Sequence, residues 1–296
     1  NRGKPGVEVT VVTESGASGR AMCTAGVSMG THEVDFAYDG GRKFGGKGVG
    51  KALESVNNII APAICGMDAS NQAEIDEAML GIMPDAKLKL GGNATAATSA
   101  AVLKAGANAL GIPLYRHIGG ANAMYLPVPG VAMAAGDERY GGGITTPGGK
   151  PTMSVMAYGF NTFSDASYAC WDIHTRWAEK MKKSFGGLPN IRDFISIPAG
   201  VYSCDREIWE DMLKTVIEAG YEGKVGFQMD VATDTYYNKE DGKYYGLFDK
   251  TPKTKEDLYN FYLQIIKDYP FVIIEDPFNE DDYETTAALT AECGIQ

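Results

Sequence analysis

Short apolar runs alternate with amphipathic helices throughout the second part of this 296-residue chain. An alternation of strands and helices predicts a parallel sheet with helical crossovers, and therefore an α/β fold. The spacing alone does not separate an open sheet from part of a (β/α) barrel. The strands are predicted at residues 126–129, 153–157, 194–197, 225–229 and 271–274, and the helices at 164–185, 206–219 and 255–269.

The amino-terminal residues follow a different order, with strands first and helices afterwards. Residues 7–13 alternate and are rich in β-branched side chains, which predicts a strand. A Gly/Ser turn at 15–19 leads into a second strand at 20–24, so that the chain begins with a hairpin. Apolar residues then recur at helical spacing within 49–60 and 71–80.

An Ala-rich segment completes this first region. Asn93 is the predicted N-cap of a helix that ends near Leu110, and the small side chains of this helix favour close packing. Residues 1–121 are therefore expected to form an α+β domain. Residues 122–296 are expected to form a separate α/β domain.

The charge of the chain excludes several classes of partner. The net charge is −11 and the isoelectric point is about 4.8. Nucleic acids and anionic membrane surfaces both attract clustered Lys and Arg, so neither is an expected partner. No apolar run approaches the ~18 residues that span a bilayer. The five cysteines include no C-x-x-C pair, which favours a reducing, cytoplasmic location.

Acidic residues stand at the ends of two predicted strands. One strand ends in Asp230, and the last strand ends in Glu275 and Asp276. Ligands of parallel α/β folds gather at the carboxyl ends of the strands. Carboxylates from neighbouring strands are hard oxygen ligands that suit Mg²⁺. The alternative is that these acids simply begin surface loops.

A Gly-hinged loop at residues 25–30 is a second feature with two interpretations. It contains Ser28 and could act as a mobile lid, or it could be an ordinary Gly-rich connection. It is not a phosphate-binding P-loop, because Lys-Ser/Thr does not follow the glycines. His32 lies near this loop and merits a test, whereas His117 and His174 are expected to be structural.

An ordered set of motifs resembles the enolase family along the whole chain. The motifs occur in the same order as in the family. Two of them contain the acidic strand ends: Met229-Asp230-Val231-Ala232 and Ile274-Glu275-Asp276-Pro277-Phe278. The others are Arg2-Gly3-Lys4-Pro5-Gly6-Val7-Glu8-Val9, Gly46-Lys47-Gly48-Val49, residues 57–62, Lys89-Leu90-Gly91-Gly92-Asn93-Ala94, Pro113-Leu114-Tyr115-Arg116-His117 and Leu126-Pro127-Val128-Pro129.

The resemblance implies a fold and a reaction. The fold is an amino-terminal α+β lid domain followed by an enolase-type (β/α) barrel. The reaction is the Mg²⁺-dependent dehydration of 2-phosphoglycerate to phosphoenolpyruvate in glycolysis, usually by a homodimer. By position, Asp230 and Glu275 match two ligands of the first Mg²⁺, and Ser28 matches the lid serine that binds the second.

Several positions depart from the family pattern. The family loop that bears a catalytic His is replaced around residues 145–149, and a family acid becomes Val155. The Gly-Asp-Glu-Gly-Gly loop, with its general acid, corresponds to the apolar residues 197–201. The family's third metal carboxylate and its base Lys would follow Gln296, so we expect an incomplete barrel.

These departures leave two hypotheses for function. The first is an enolase-family lyase that acts on a small phosphorylated substrate, with activity impaired or absent in the chain as given. The second is a catalytically inactive pseudoenolase with a structural or protein-interaction role. The sequence assigns no catalytic residue, and the metal ligands expected from the resemblance are Asp230, Glu275 and Ser28.

Overall fold

The computed structural model describes residues 3–26, 30–136, 138–142, 150–184 and 195–296. The chain divides into two compact units, Asn1–Tyr125 and Leu126–Gln296, each with its own hydrophobic core. Within the described ranges, no helix combines the length and the apolar character that crossing a bilayer requires.

The first unit is an antiparallel hairpin followed by helices. Its strands are β1 (Val7–Val12) and β2 (Ser18–Cys23), which confirms the predicted hairpin. Short 3₁₀ turns lie at Lys43–Gly46 and Gly120–Asn122, and a π-helical stretch spans Ser55–Ile60. The helices are α1 (Gly50–Glu54), α2 (Ala61–Ile64), α3 (Gln72–Gly81), α4 (Ala86–Leu90), α5 (Gly92–Ala109) and α6 (Leu114–Gly119).

Close packing of α5 against the hairpin forms the centre of this unit. A Cβ atom added to Gly19 on β2 would lie 2.2 Å from the Ala101 carbonyl oxygen. Glycine is therefore required where the strand crosses the helix, because any side chain would collide with the helix backbone. Ala94 and Ala105 on α5 are fully buried. The prediction that small residues allow close packing is confirmed.

The start of α5 differs from the expected start. The N-cap is Gly91, and Asn93 lies inside the first turn, so the prediction of an Asn93 N-cap is wrong. The Asn93 side chain is buried and instead accepts a hydrogen bond from the Ala37 N–H at 2.9 Å. Gly91 has φ +92°, and a Cβ there would lie 2.4 Å from the Ala37 Cβ. The Gly-Gly-Asn motif thus holds the loop that contains Ala37 against the start of α5.

The second unit contains the remaining strands and helices. Its strands are β3 (Gly130–Ala135), β4 (Thr152–Met156), β5 (Ile195–Ser196), β6 (Gly226–Asp230), β7 (Tyr237–Asn238), β8 (Lys243–Tyr244) and β9 (Phe271–Glu275). Its helices are α7 (Phe163–Ser184), α8 (Asp205–Glu218), α9 (Lys255–Asp268) and α10 (Tyr283–Cys293), with a 3₁₀ turn at Thr233–Tyr236.

The first strand of this unit begins later than predicted. Residues 126–129 are not a strand, and β3 starts at Gly130. Pro127 and Pro129 lack the N–H groups that a strand donates to its neighbours, which explains why the ladder begins after them. In contrast, the expected capping box of α9 is confirmed. The Thr254 hydroxyl accepts from the Asp257 N–H at 3.1 Å, and the Asp257 carboxylate accepts from the Thr254 N–H at 2.8 Å.

The main sheet has the strand order β5-β3-β4-β6-β9. The β3–β5 and β6–β9 pairs are parallel, but β4 runs antiparallel to both of its neighbours. The expectation of a purely parallel sheet is therefore wrong at β4. A parallel return needs a crossover, usually a helix. The described residues between β3 and β4 form no helix, and β4 returns antiparallel to β3.

The outer edge of β9 also has a partner. The Gln296 N–H donates to the Val272 carbonyl at 3.1 Å, and the Ile274 N–H donates to the Gln296 carbonyl at 2.9 Å. Gln296 thus bonds to the two residues on either side of Ile273, which is the hydrogen-bond pattern of a parallel pair. The edge of β9 is therefore covered around Ile273.

An aromatic cluster around Trp209 fills the space between α8, α9 and the sheet. The Trp209 indole is fully buried, and its ring centroid lies 5.3 Å from that of Phe271, at 90°. Tyr269 and Phe248 also meet Trp209 edge to face, at 5.5 and 5.8 Å. Edge-to-face contacts add to the free energy gained by burying these rings. The packing of the second unit therefore depends strongly on this side chain.

Replacing Trp209 with Ala should lower the free energy of unfolding of the second unit by about 3–5 kcal/mol, because it empties a fully packed site. Trp171→Ala is the matched control, since Trp171 is 60% exposed, and its effect should stay within about 0.5 kcal/mol. Guanidinium unfolding followed by far-ultraviolet circular dichroism measures both values. Equal effects of the two substitutions would contradict the assignment of Trp209 to the core.

Candidate metal centre

Three carboxylates come together where β6 and β9 end. In the parallel β6–β9 pair Asp230 lies beside Glu275, and Asp276 follows directly. One carboxylate oxygen from each of the three residues lies within 4.8 Å of the others. Among the residues that the structure describes, no other group of three His, Cys, Asp or Glu side chains meets this criterion. The two strand-end acids singled out in the sequence are therefore neighbours.

The backbone around these acids is fixed by hydrogen bonds between the two strand ends. The Val231 N–H donates to the Glu275 carbonyl at 3.0 Å. The N–H and hydroxyl of the fully buried Thr233 both donate to the Asp276 carbonyl. Asp276 itself has φ +49°, the left-handed conformation that Asp tolerates better than most residues. The segments after β6 and β9 are thus tied together.

Asp234 strengthens the connection between the segments that follow β6 and β9. Its carboxylate accepts hydrogen bonds from the Glu280 N–H at 2.9 Å and from the Asn279 side-chain amide. Burial raises the pKa of Asp234 above its usual value, although these two donors oppose the shift. Asp234 therefore acts as a structural link between the loops that follow β6 and β9.

Lys150 brings a positive charge to the same acids. Its ammonium donates to Asp230 Oδ2, and the Tyr236 hydroxyl donates to the Lys150 carbonyl. Burial lowers the pKa of the Lys150 ammonium, while Glu275 and Asp276 oppose that shift. The side chains of Lys150 and Asp230 are only 14% and 18% exposed. Lys150 lies at the end of a segment that the sequence predicts only as loop, and it was not among the expected site residues.

The reversed direction of β4 explains how Lys150 reaches the acids. Thr152, the first residue of β4, pairs with Asp230, the last residue of β6. A strand that ran parallel to β6 would place its carboxyl end there. Because β4 runs the other way, Lys150, two residues before it, lies beside the carboxylates. The local sequence around Lys150 carries no signal for this position, because the direction of β4 depends on its pairing with strands that are distant in sequence.

The opposite faces of β4 and β6 have different roles. Paired residues of adjacent strands point to the same side of a sheet, so Thr152 shares a face with Asp230, and Ser154 shares it with Gln228. The Gln228 amide donates to Glu275 Oε2 at 3.3 Å. Val155 lies on the other face, opposite Phe227, and is fully buried in the core.

Comparison with known proteins agrees with the motifs of the chain. The family model for the enolase amino-terminal domain matches residues 1–118. The model for the enolase carboxyl-terminal TIM barrel domain matches residues 123–296. The chain belongs to the enolase family. The five-stranded mixed sheet with its helices is therefore the part of an enolase-type barrel that this chain contains.

Individual enolases are similar along the whole of this chain. The enolase of Methanococcus aeolicus is 37% identical over 299 residues, which cover 100% of the chain and 68% of that relative. The enolase of Bifidobacterium longum subsp. infantis is 38% identical over 303 residues, which cover 99% and 67%. The enolase of Methanopyrus kandleri is 35% identical, covering 99% and 68%. The chain spans about two thirds of the length of these relatives.

The two positions at which the resemblance implies acids are apolar in this chain. Val155 is part of the core and does not share the face of Asp230. The segment at residues 197–201 begins with the buried Ile197, whose N–H donates to the Ala135 carbonyl at 2.8 Å, and continues into exposed residues. Neither position offers a group that could transfer a proton.

The remaining residues discussed from the sequence are Ser28, the 145–149 segment and His174. Ser28 and the segment at residues 145–149 lie outside the described residues. His174 has the expected structural role, because its Nδ1 lies 3.0 Å from the Ala132 carbonyl oxygen and connects α7 to β3.

A buried ion pair lies beside a cleft next to the 197–201 segment. Arg139 Nη2 donates to Asp205 Oδ2 at 2.9 Å, and the Tyr140 hydroxyl donates to Asp205 Oδ1 at 2.7 Å. Asp205 is completely buried, and the Arg139 side chain is only 3% exposed. The cleft has a volume of about 1020 Å³, and Arg139, Ala199 and Val201 contribute to its lining. The pair therefore fixes this wall of the cleft.

Arg139→Met should destabilise the second unit by about 3–5 kcal/mol, because the buried Asp205 carboxylate would lose its counter-charge. The double variant Arg139→Met/Asp205→Asn should recover part of this loss, since no unpaired charge remains. Arg176→Met, which breaks an i,i+4 pair between a half-exposed Arg176 and a partly buried Asp172 on α7, should cost only about 0.3–0.5 kcal/mol. Urea unfolding of the four proteins measures these differences. A double variant that is less stable than Arg139→Met would argue against this explanation.

Proposed function

We propose that the chain provides a divalent-cation site of an enolase-type lyase, with Asp230 and Glu275 as ligands. The observation that carries the proposal is the pairing of these two carboxylates at adjacent strand ends. The family relationship supports Mg²⁺ as the ion and 2-phosphoglycerate as the substrate. On the same basis we propose Ser28 as a ligand of a second Mg²⁺.

The donor atoms fit a hard cation. Mg²⁺ prefers oxygen ligands and usually keeps several waters, so that a few carboxylates suffice to hold it. Asp276 adds a third carboxylate within reach of the other two. The exposure of Glu275 and Asp276 leaves room for water and for the substrate. The site could therefore hold Mg²⁺ through the residues that the chain itself contains.

The chain's own residues would position the ion and the substrate. Gln228 orients Glu275 through its 3.3 Å hydrogen bond, and the strand pairing holds Asp230 at the same level. When bound, the divalent cation would neutralise negative charge that develops on the substrate carboxylate. We further propose that the active form is a cytoplasmic homodimer.

A pseudoenolase with a structural or protein-interaction role is the second proposal. Two observations favour it: Val155 occupies a family acid position as part of the core, and the 197–201 segment offers no acid. A Val or Ala side chain cannot transfer a proton, and the loss of one general acid typically costs about 10²–10⁴-fold in rate. Packing positions would then be kept while the chemistry is lost.

A turnover assay separates the two proposals. The complete gene product with Mg²⁺ and 2-phosphoglycerate should form phosphoenolpyruvate if the lyase proposal is correct, and Asp230→Asn should reduce the rate to background. Glu222→Gln changes an exposed acid elsewhere in the second unit and should leave the rate unchanged. Absence of turnover above the uncatalysed rate in the unmodified protein would contradict the lyase proposal and favour the pseudoenolase.

Cation binding is testable without turnover. Mg²⁺ should raise the melting temperature, because an ion that binds only the folded state stabilises it by about 2.7 kcal/mol at 100 times its Kd. Asp230→Ala should abolish this increase, whereas Glu222→Ala should preserve it. Differential scanning calorimetry over a range of Mg²⁺ concentrations gives the comparison. A Mg²⁺ effect that persists in Asp230→Ala would place the ion elsewhere.

A further inference from the structure

We propose that Lys150 is an internal cation that competes with the divalent ion for Asp230, so that an ion can bind only when the Lys150 ammonium leaves. This inference rests on the proposed cation site and adds a residue that controls its occupancy. It makes Lys150 a positioning residue of the site, since it acts on the ligand Asp230.

The geometry brings the two cations to the same carboxylate group, that of Asp230. The Lys150 ammonium donates to Asp230 Oδ2, one of the carboxylate oxygens available to a metal ion. Glu275 and Asp276 place two further carboxylates around this position. An ammonium and a Mg²⁺ ion on one small carboxylate lie close enough for their charges to repel each other strongly. Occupancy by one therefore opposes occupancy by the other.

Lys150 is fastened at this position through its backbone. Its carbonyl accepts a hydrogen bond from the hydroxyl of the buried Tyr236, and β4 begins two residues later, opposite Asp230. The anchored backbone keeps the ammonium near the acids, and only the side chain needs to rotate for release. The ammonium thus has a high effective concentration at the site, as expected for a tethered competitor.

The surroundings distinguish this pair from the other lysine–aspartate pairs of the second unit. Lys180 contacts Asp211 at 2.6 Å in a partly exposed pair. Asp211 belongs to no three-acid group among the described residues, whereas Asp230 does. Removing the charge of Lys180 should therefore leave cation binding unaffected. Lys180→Met is the matched control for Lys150→Met.

Isothermal titration calorimetry with Mg²⁺ alone, on the full chain and without substrate, tests the competition. Lys150→Met keeps an unbranched side chain one atom shorter and removes its charge, so its affinity for Mg²⁺ should exceed that of the unmodified protein by about tenfold, or ~1.4 kcal/mol. Lys150→Arg and Lys180→Met should bind like the unmodified protein. Lys150→Met/Asp230→Asn should lose the tight binding.

A second measurement uses the unmodified protein and does not depend on the folding of any variant. If Mg²⁺ displaces the ammonium, Lys150 becomes more exposed, and its acylation by an amine-reactive reagent should accelerate several-fold. Mass spectrometry of the digested protein measures the rate at Lys150 and at Lys180. The rate at Lys180 should not depend on Mg²⁺.

The outcomes separate this inference from the proposed function. Equal or weaker binding by Lys150→Met, together with Asp230-dependent binding in the unmodified protein, overturns the competition and leaves the cation site intact. A labelling rate at Lys150 that does not respond to bound Mg²⁺ has the same meaning. If neither the unmodified protein nor Lys150→Met binds Mg²⁺, both the competition and the proposed cation site are wrong.

Discussion

The register of β6 against β9 is the constraint on which the rest of this site depends. It places Asp230 beside Glu275, and the hydrogen bonds from Thr233 to Asp276 keep the two strand ends together. A shift by one residue would turn one of the acids to the opposite face of the sheet. The buried Phe227 and Met229 oppose such a shift, because their alternation with the acidic face would be reversed. Packing on one face thus determines the chemistry that is possible on the other.

The direction of one strand decides what else the acids meet. β4 separates two parallel pairs and runs against both, so Lys150, two residues before β4, lies at the edge of the sheet where β6 and β9 end. A purely parallel sheet would have left Lys150 at the far end. The positive charge near Asp230 is therefore a consequence of topology, since nothing in the local sequence around Lys150 resembles a binding motif.

This difference marks what the sequence could predict. Asp230 and Glu275 could be predicted as neighbours, because each ends an apolar strand and the carboxyl ends of the strands of an α/β fold lie at one edge of the sheet. The helices α7, α8 and α9 could be predicted from their amphipathic periodicity. The position of Lys150 could not, since strand direction depends on pairing between segments distant in sequence. Asn93 illustrates a similar limit: its residue type suits an N-cap, but its side chain is used to hold Ala37. The metal-binding role of Asp230, Glu275 and Ser28 stays a prediction.

The aromatic cluster around Trp209 has a spectroscopic consequence. All three tryptophans of the chain, Trp171, Trp177 and Trp209, lie in the second unit. Trp177 and Trp209 are fully buried, and Trp171 is largely exposed. Indole emission therefore comes entirely from the unit that holds the carboxylates, while the first unit contributes only tyrosine and phenylalanine emission. The chain carries an intrinsic fluorophore set that reports the unfolding of one unit separately from the other.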